Sequence, residues 1–189
     1  KYDPKYYAKV EEVLRDAHAL SPKRQEVLSG LGIALAGQER YEEAVQVLKE
    51  AVDLNPDASR VIFYYAVVLS AAGRNEETLE TFKTLREKDP DLGYLSTQDI
   101  IVLLDLYETL QDKEGFYSLI TESAKGIVNV KLDINDYEKA LLHYLDREKG
   151  EEVIALAEYI GKNFPERKDD MEAIIDLVKK NEWGIIKNL

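Results

Sequence analysis

Proline recurs at a fixed interval in the first half of the chain. Pro22, Pro56 and Pro90 are each 34 residues apart, and small and apolar residues recur in register between them. A period of this length is typical of repeat proteins, in which each repeat is one supersecondary unit that buries its apolar face against its neighbours. The sequence therefore predicts a stack of similar units.

Each repeat is predicted to contain two short amphipathic helices. Leu31 and Leu35 share one face of the first helix, and Ala44 and Leu48 share one face of the second. Glycine inside a helix costs about 1 kcal/mol relative to alanine, so Gly32 indicates that another backbone or side chain must approach closely there. We therefore expect the two helices of the pair to cross at Gly32 and Ala44.

The best-defined repeat resembles the tetratricopeptide repeat family, whose signature places a small residue, an aromatic residue, an alanine and a proline in this order. The matching residues are Leu31-Gly32, Tyr41-Glu42-Glu43-Ala44, Ala51 and Pro56. The resemblance implies an all-α fold, namely a right-handed helical solenoid of antiparallel helix pairs with about nine to ten helices.

The 34-residue register predicts a single domain of consecutive units. The first helix matches the second half of a repeat, so the chain is expected to begin in the middle of one. After Pro90 the register slips, and Ser96 with Asp99 predicts a capping-box start for the next helix. In the degenerate unit that follows, the residues expected to face inward are Leu103, Leu106 and Leu110. The predicted units are a partial repeat (1–24), two repeats (25–58 and 59–92), a degenerate repeat with an insertion (93–133), a further repeat (134–167) and a C-terminal capping helix with a tail (168–189).

Charge and composition exclude several classes of partner. The formal net charge is -12, and a surface of this sign repels phosphate backbones and anionic lipid, so we expect no nucleic-acid partner. The longest apolar run, 100–104, is far below the ~20 residues of a membrane span, so we expect no direct membrane insertion. The chain has no cysteine, which removes disulfides, thiolate nucleophiles and cysteine metal sites.

No motif in the sequence predicts catalysis. His18 and His143 lie in different units without the spacing of a two-histidine metal site. The carboxylates cluster in pairs such as Glu42-Glu43 near helix starts, where they favour the helix dipole and solubility. Gly30 and Gly32 lie inside a helix rather than in a phosphate-binding loop. We therefore expect a protein that is not an enzyme and that uses no metal and no cofactor.

The first helix of each pair is expected to line the concave side of the stack, so residues just outside its core stripe would meet a partner. An aromatic and apolar groove of this kind suits an extended or helical peptide. For Phe63 and Tyr64 an alternative stays open, in which both rings pack against a neighbouring helix. The predicted partner-binding residues are Glu26, Ser29, Ile33, Arg60, Phe63, Tyr64 and Val67.

The resemblance also limits the kind of partner. Some tetratricopeptide domains hold a terminal carboxylate with lysine, arginine and asparagine, but the matching positions here are Ser29, Ile33, Tyr64 and Val67. We therefore expect a scaffold that binds a protein or peptide in its concave groove, and a homo-oligomer is compatible with the sequence. An alternative is a soluble C-terminal appendage of a bacterial membrane protein, because residues 20–25 resemble the tetratricopeptide region of O-antigen ligase/polymerase-like proteins.

Overall fold

The computed structural model describes residues 4–128 and 130–186, which form helices joined by turns and contain no β-strand. The all-α class and the helix-pair architecture predicted from the sequence are confirmed for this part of the chain. The α-helices are α1 (Pro4–Leu20), α2 (Gln25–Ala36), α3 (Tyr41–Leu54), α4 (Ser59–Ala71), α5 (Asn75–Lys88), α6 (Thr97–Thr109), α7 (Lys113–Ala124), α8 (Ile134–Leu145), α9 (Gly150–Asn163), α10 (Lys168–Lys179) and α11 (Trp183–Ile186), with a 3₁₀ turn at Pro165–Arg167.

The chain divides into two compact units, Lys1–Leu95 and Ser96–Leu189. In the first unit, α1 to α5 pack in sequence order, each helix against the next, and α2 also contacts α4. In the second unit, α6 to α11 follow the same neighbour-to-neighbour order, and α7 also contacts α9. Each unit is therefore built from helix hairpins that share their apolar faces with the next hairpin.

The turn from the first to the second helix of each pair has one recurring geometry. A residue in the left-handed region follows the first helix, and the amide after it donates to a carbonyl five residues earlier, as Arg40 does to Leu35 at 3.1 Å. This is the Schellman motif, which satisfies carbonyls at the helix end. The left-handed residues are Glu39, Gly73, Gln111, Glu148 and Asn181.

The core of the first unit confirms the predicted crossing at Gly32. A Cβ atom added to Gly32 would lie 2.5 Å from Cγ of Leu48, far inside van der Waals contact. Leu48 and Ala44 are both 0% exposed, and Leu31 and Leu35 join them in one cluster. Glycine at position 32 therefore lets the backbone of α2 lie directly on the Leu48 side chain of α3.

The start of α6 is confirmed, and of the three predicted inward residues only Leu103 is buried. Ser96 Oγ accepts a hydrogen bond from the Asp99 amide, and Asp99 accepts one from the Ser96 amide, which completes the capping box. Ile100, Leu103 and Tyr107 are buried, whereas the predicted Leu106 and Leu110 are only partly buried. The prediction was wrong for these two because the inserted residues after Pro90 make the 34-residue register a poor guide to the phase of α6.

A buried polar network replaces aliphatic packing in the second unit. Ser123 Oγ donates to the Val130 carbonyl at 2.7 Å and lies 3.0 Å from the Tyr137 hydroxyl. The Tyr137 hydroxyl donates to that of Tyr159 at 3.3 Å. Burial, and then the hydrogen bond from Tyr137, raise the pKa of Tyr159 to about 12. The Tyr159 hydroxyl therefore stays protonated at physiological pH, and the network links α7, α8 and α9.

Candidate functional site

The candidate surface lies on α2 and α4, the first helices of two consecutive pairs. Ile33 and Val67 are 34 residues apart, and each lies six residues before the left-handed residue of its turn. Ile33 is 37% exposed and Val67 is partly exposed. Because α2 and α4 contact each other, the repeat places two aliphatic side chains at equivalent accessible positions on neighbouring helices.

One aromatic and two charged side chains extend this surface. Tyr64 is half-buried against the core cluster of the first unit. Glu26 and Arg60 are exposed, and Arg60 Nη2 donates to the Tyr94 carbonyl at 2.5 Å. We call the accessible set the α2–α4 face; it consists of Glu26, Ile33, Arg60, Tyr64 and Val67.

Two of the predicted binding residues lie inside the first unit instead. Phe63 is 2% exposed, and its ring lies 5.9 Å from that of Tyr64 between centroids. Ser29 is 9% exposed, and its hydroxyl donates to the Gln25 carbonyl at 2.8 Å, one turn earlier in α2. The structure thus places Phe63 in the core, as in the alternative considered for it, and neither side chain is available to a partner.

Charged residues at the start of the second helices form a repeated clamp that the sequence analysis missed. Arg40 and Arg74 are 34 residues apart, and each forms a two-nitrogen ion pair with the glutamate three residues later, Glu43 or Glu77, at 2.6 Å. Arg40 also reaches Glu11 of α1 at 2.7 Å. Hydrogen bonds to Glu43 and then Glu11 raise the pKa of Arg40. The clamp therefore links neighbouring helices rather than forming a reactive centre.

Glu11 is the buried member of this network. Its side chain is held by Gln38, Arg15 and Arg40 at 2.7 Å each, and the residue is 9% exposed. Burial acts to raise the pKa of Glu11, but the three hydrogen bonds outweigh burial and lower it. Glu11 is therefore an ionised structural residue that ties α1 to the turn between α2 and α3.

The second unit contains a cleft that sequence reasoning did not identify. It has a volume of about 480 Å³ and lies between α8 and α10, where Leu142 is 62% exposed. At its edge Arg167 pairs with Glu138 at 2.6 Å. Leu142 lies six residues before Glu148, so it is the counterpart of Ile33 and Val67. No signal in the sequence marks this position, because a glutamate at 148 does not predict a left-handed turn.

The two histidines lie in different helices and different packing environments. His143 is buried, its ring centroid lies 4.2 Å from that of Tyr117, and its Nε2 is 3.4 Å from a carboxylate oxygen of Glu114. His18 is partly buried on α1. Within residues 4–128 and 130–186, no group of histidine, aspartate and glutamate is clustered to hold a metal ion. In the same residues, none of the helices has the length and apolarity needed to cross a bilayer.

Comparison with known proteins gives one family match. The tetratricopeptide repeat model matches residues 35–96. No curated protein matches the chain. Two similar solved structures are MamA MSR-1 C2, with 22% identity over 64% of this chain and 67% of that chain at a TM-score of 0.49, and MamA RS-1 ArsTM double mutant, with 16% identity over 95% and 96% at 0.46. The matched residues 35–96 hold the end of α2 and all of α3, α4 and α5, and this part of the chain is similar to the tetratricopeptide repeat family.

Proposed function

We propose that this chain is a non-catalytic interaction module that binds a protein or peptide partner on the α2–α4 face. The observation that carries the proposal is the repetition of an accessible aliphatic side chain, Ile33 and then Val67, at equivalent positions of two helices in contact. Core packing does not require an aliphatic residue there, because the inward positions of α2 and α4 are already filled by buried residues such as Leu35 and Leu69.

The chemistry of the α2–α4 face indicates what the partner presents. Ile33, Val67 and the ring of Tyr64 offer an apolar strip, and the matching positions carry no lysine, arginine or asparagine for a terminal carboxylate. Glu26 and Arg60 bring opposite charges to the margin of this strip. The partner is therefore an internal peptide segment with apolar anchors and mixed charge, bound in an extended or helical conformation.

A displayed library of random peptides, selected on the whole chain, tests this proposal. We expect the enriched peptides to bind the parent protein and to bind the Ile33→Asp/Val67→Asp variant at least tenfold more weakly, because loss of apolar anchors removes about 2 kcal/mol or more. Ile101→Asp/Ile127→Asp is the matched control, since it places the same two charges on isoleucines of the second unit that are 44% and 45% exposed.

Peptides that bind the parent and the Ile33→Asp/Val67→Asp variant with equal affinity would remove the α2–α4 face from the binding site. Thermal unfolding of each variant shows whether the substituted chain is folded, so a loss of binding is interpreted only where the melting temperature is retained.

The second function predicted from the sequence, as an appendage of an O-antigen ligase/polymerase-like membrane protein, stays a prediction. The gene that encodes this chain tests it directly. Apolar spans of membrane length encoded upstream in the same reading frame would support that origin, and a reading frame without such spans would contradict it.

A further inference from the structure

A small pocket opens between α6 and α7, in the middle of the chain. Its volume of about 190 Å³ is below the range of roughly 300–1,000 Å³ of small-molecule sites, so it fits a single compact head group. All of its lining residues belong to the second unit. We call it the α6–α7 pocket; it is lined by Tyr107, Glu108, Gln111, Lys113, Phe116 and Tyr117.

Three aromatic rings line this pocket. The Phe116 and Tyr117 rings lie 5.3 Å apart between centroids, and their planes meet at 80°, so they form two adjacent walls almost at right angles. Tyr107 supplies the third ring from α6. The faces of aromatic rings carry partial negative charge, which attracts a cation placed over them.

The rings are held in place by their neighbours. The Tyr117 ring packs on His143 of α8, with 4.2 Å between ring centroids. Tyr107 is 5% exposed, and a Cβ added to Gly115 would lie 2.6 Å from its ring. Glycine at position 115 therefore lets the Tyr107 ring lie against the backbone of α7. A pocket with fixed walls loses little conformational entropy when a ligand enters it.

The charges around the α6–α7 pocket are mainly negative. Glu108 is exposed and forms no ion pair with any residue in the described part of the chain. Asp112 and Glu114 flank Lys113 at the start of α7, and Lys113 is the one amine among the lining residues. Three carboxylates and one amine beside aromatic rings favour a cation over an anion.

We propose that the α6–α7 pocket binds a quaternary ammonium group, namely the trimethylammonium head of a small molecule of the choline type. Such a head group is bound mainly by cation–π attraction to ring faces. It donates no hydrogen bond, so it needs no acceptor inside an aromatic pocket, whereas a primary ammonium is strongly hydrated. The site shares no residue with the α2–α4 face and does not depend on the function proposed for that face.

Titration of the nitrogen-labelled chain with choline chloride, followed by nuclear magnetic resonance, tests the proposal. We expect saturable shifts of the Gly115 and Phe116 amide signals. Choline should bind about tenfold or more tightly than dimethylbutanol, in which a neutral quaternary carbon replaces the nitrogen, because only the cation is attracted by the ring faces. Equal affinity for the two molecules, or the absence of saturable shifts with choline, would overturn the proposal.

Removing one ring tests whether the site is this pocket. Phe116→Leu keeps most of the apolar volume but removes an aromatic face. We expect it to weaken choline binding about fivefold and to change dimethylbutanol binding by less than about twofold. A folded Phe116→Leu variant that binds choline as the parent does would contradict the assignment. Circular dichroism melting shows whether the variant is folded, and the comparison of the two ligands on the parent chain needs no variant.

Two substitutions of charged residues should act in opposite directions. Glu108→Gln should weaken choline binding about threefold and Lys113→Gln should strengthen it by a similar factor, because the first removes an attractive charge and the second a repulsive one. Glu166→Gln is the matched control, since it removes the same charge from an exposed residue in the turn between α9 and α10. Equal effects of Glu108→Gln and Glu166→Gln would contradict a cation site at this pocket.

Titration with two other molecules that carry the same head group identifies its source. We expect choline to bind more tightly than phosphocholine, because the carboxylates around the pocket repel the phosphate. We also expect choline to bind more tightly than trimethyllysine amide. Tighter binding of trimethyllysine amide would replace the small molecule by a modified protein and overturn the choice of ligand.

Discussion

Replacing Gly32 by alanine should destabilise the first unit, although alanine is the better helix former. Two effects oppose each other. Helix propensity favours the variant by about 1 kcal/mol. Overpacking disfavours it by about 1–3 kcal/mol, because the new Cβ would lie 2.5 Å from Cγ of Leu48 and 3.0 and 3.1 Å from its two terminal carbons. Leu48 is 0% exposed and is packed within the core cluster of the first unit.

Gly30→Ala is the matched control, because Gly30 lies two residues before Gly32 in the same helix. There an added Cβ meets only the terminal carbons of the partly buried Leu14, at 3.2 and 3.5 Å. The propensity gain is the same at both positions, so the difference in unfolding free energy between Gly30→Ala and Gly32→Ala isolates the overpacking, about 1–3 kcal/mol.

Urea unfolding followed by far-ultraviolet circular dichroism measures this difference. Hydrogen exchange of the amides in α2 and α3 shows whether the loss of stability is local to the crossing. Leu48→Ala removes the obstructing atoms, so in that background Gly32→Ala should become neutral or stabilising. Equal stability of the two glycine variants would show that α2 and α3 do not cross at Gly32. Gly32→Leu should cost more than Gly32→Ala, since three further carbons must be accommodated.

Three further predictions follow from the described contacts. Phe63→Ser should lower the unfolding free energy by about 3–5 kcal/mol while Tyr64→Ser costs clearly less, and equal thermal melts of the two variants would contradict the burial of Phe63. The pKa of Glu11 is lower in the folded state than in the unfolded state. Ionised Glu11 therefore stabilises the protein at pH values above its unfolded-state pKa of about 4.3. This stabilisation is lost as the pH falls through the lower pKa of the folded state. The stability advantage of the parent over Glu11→Gln, measured by urea unfolding, should therefore shrink as pH falls below this value, and an advantage that grows in acid would reverse the sign we assign. Ser123→Ala should lower the unfolding free energy by about 1–3 kcal/mol, because the Val130 carbonyl loses its buried donor. An unchanged unfolding free energy in calorimetry would show that Ser123, Tyr137 and Tyr159 do not form the hydrogen-bonded network described above.

The sequence predicted the parts of the fold that local chemistry determines. Gly32 marked the crossing because glycine inside a helix needs a packing reason, and Ser96 with Asp99 marked the start of α6 because a capping box needs only those two side chains. The left-handed turns at Glu39, Gln111 and Glu148 could not be predicted in the same way. Neither glutamate nor glutamine prefers that conformation, so it is imposed by packing of the two helices that the turn joins.

The candidate site was only partly predictable for a related reason. In α4 five consecutive residues, 61–65, are apolar or aromatic, so the sequence does not reveal which part of the helix surface is buried. Phe63 proved to be inside and Tyr64 half-buried. The burial of Glu11 was not predictable from the sequence either, because its ion partner Arg40 lies 29 residues away and only the packing of α1 on α2 brings the two together.

Methyl nuclear magnetic resonance of the isoleucine- and valine-labelled chain tests the central claim, that the partner binds on the α2–α4 face. A peptide selected on the parent protein is titrated into the labelled chain while all assigned methyl groups are followed. We expect the methyl signals of Ile33 and Val67 to shift in proportion to the bound fraction, while those of Ile101 and Ile127, exposed isoleucines of the second unit, stay unchanged. Shifts confined to the second unit, with Ile33 and Val67 unaffected by a saturating peptide, would contradict the claim.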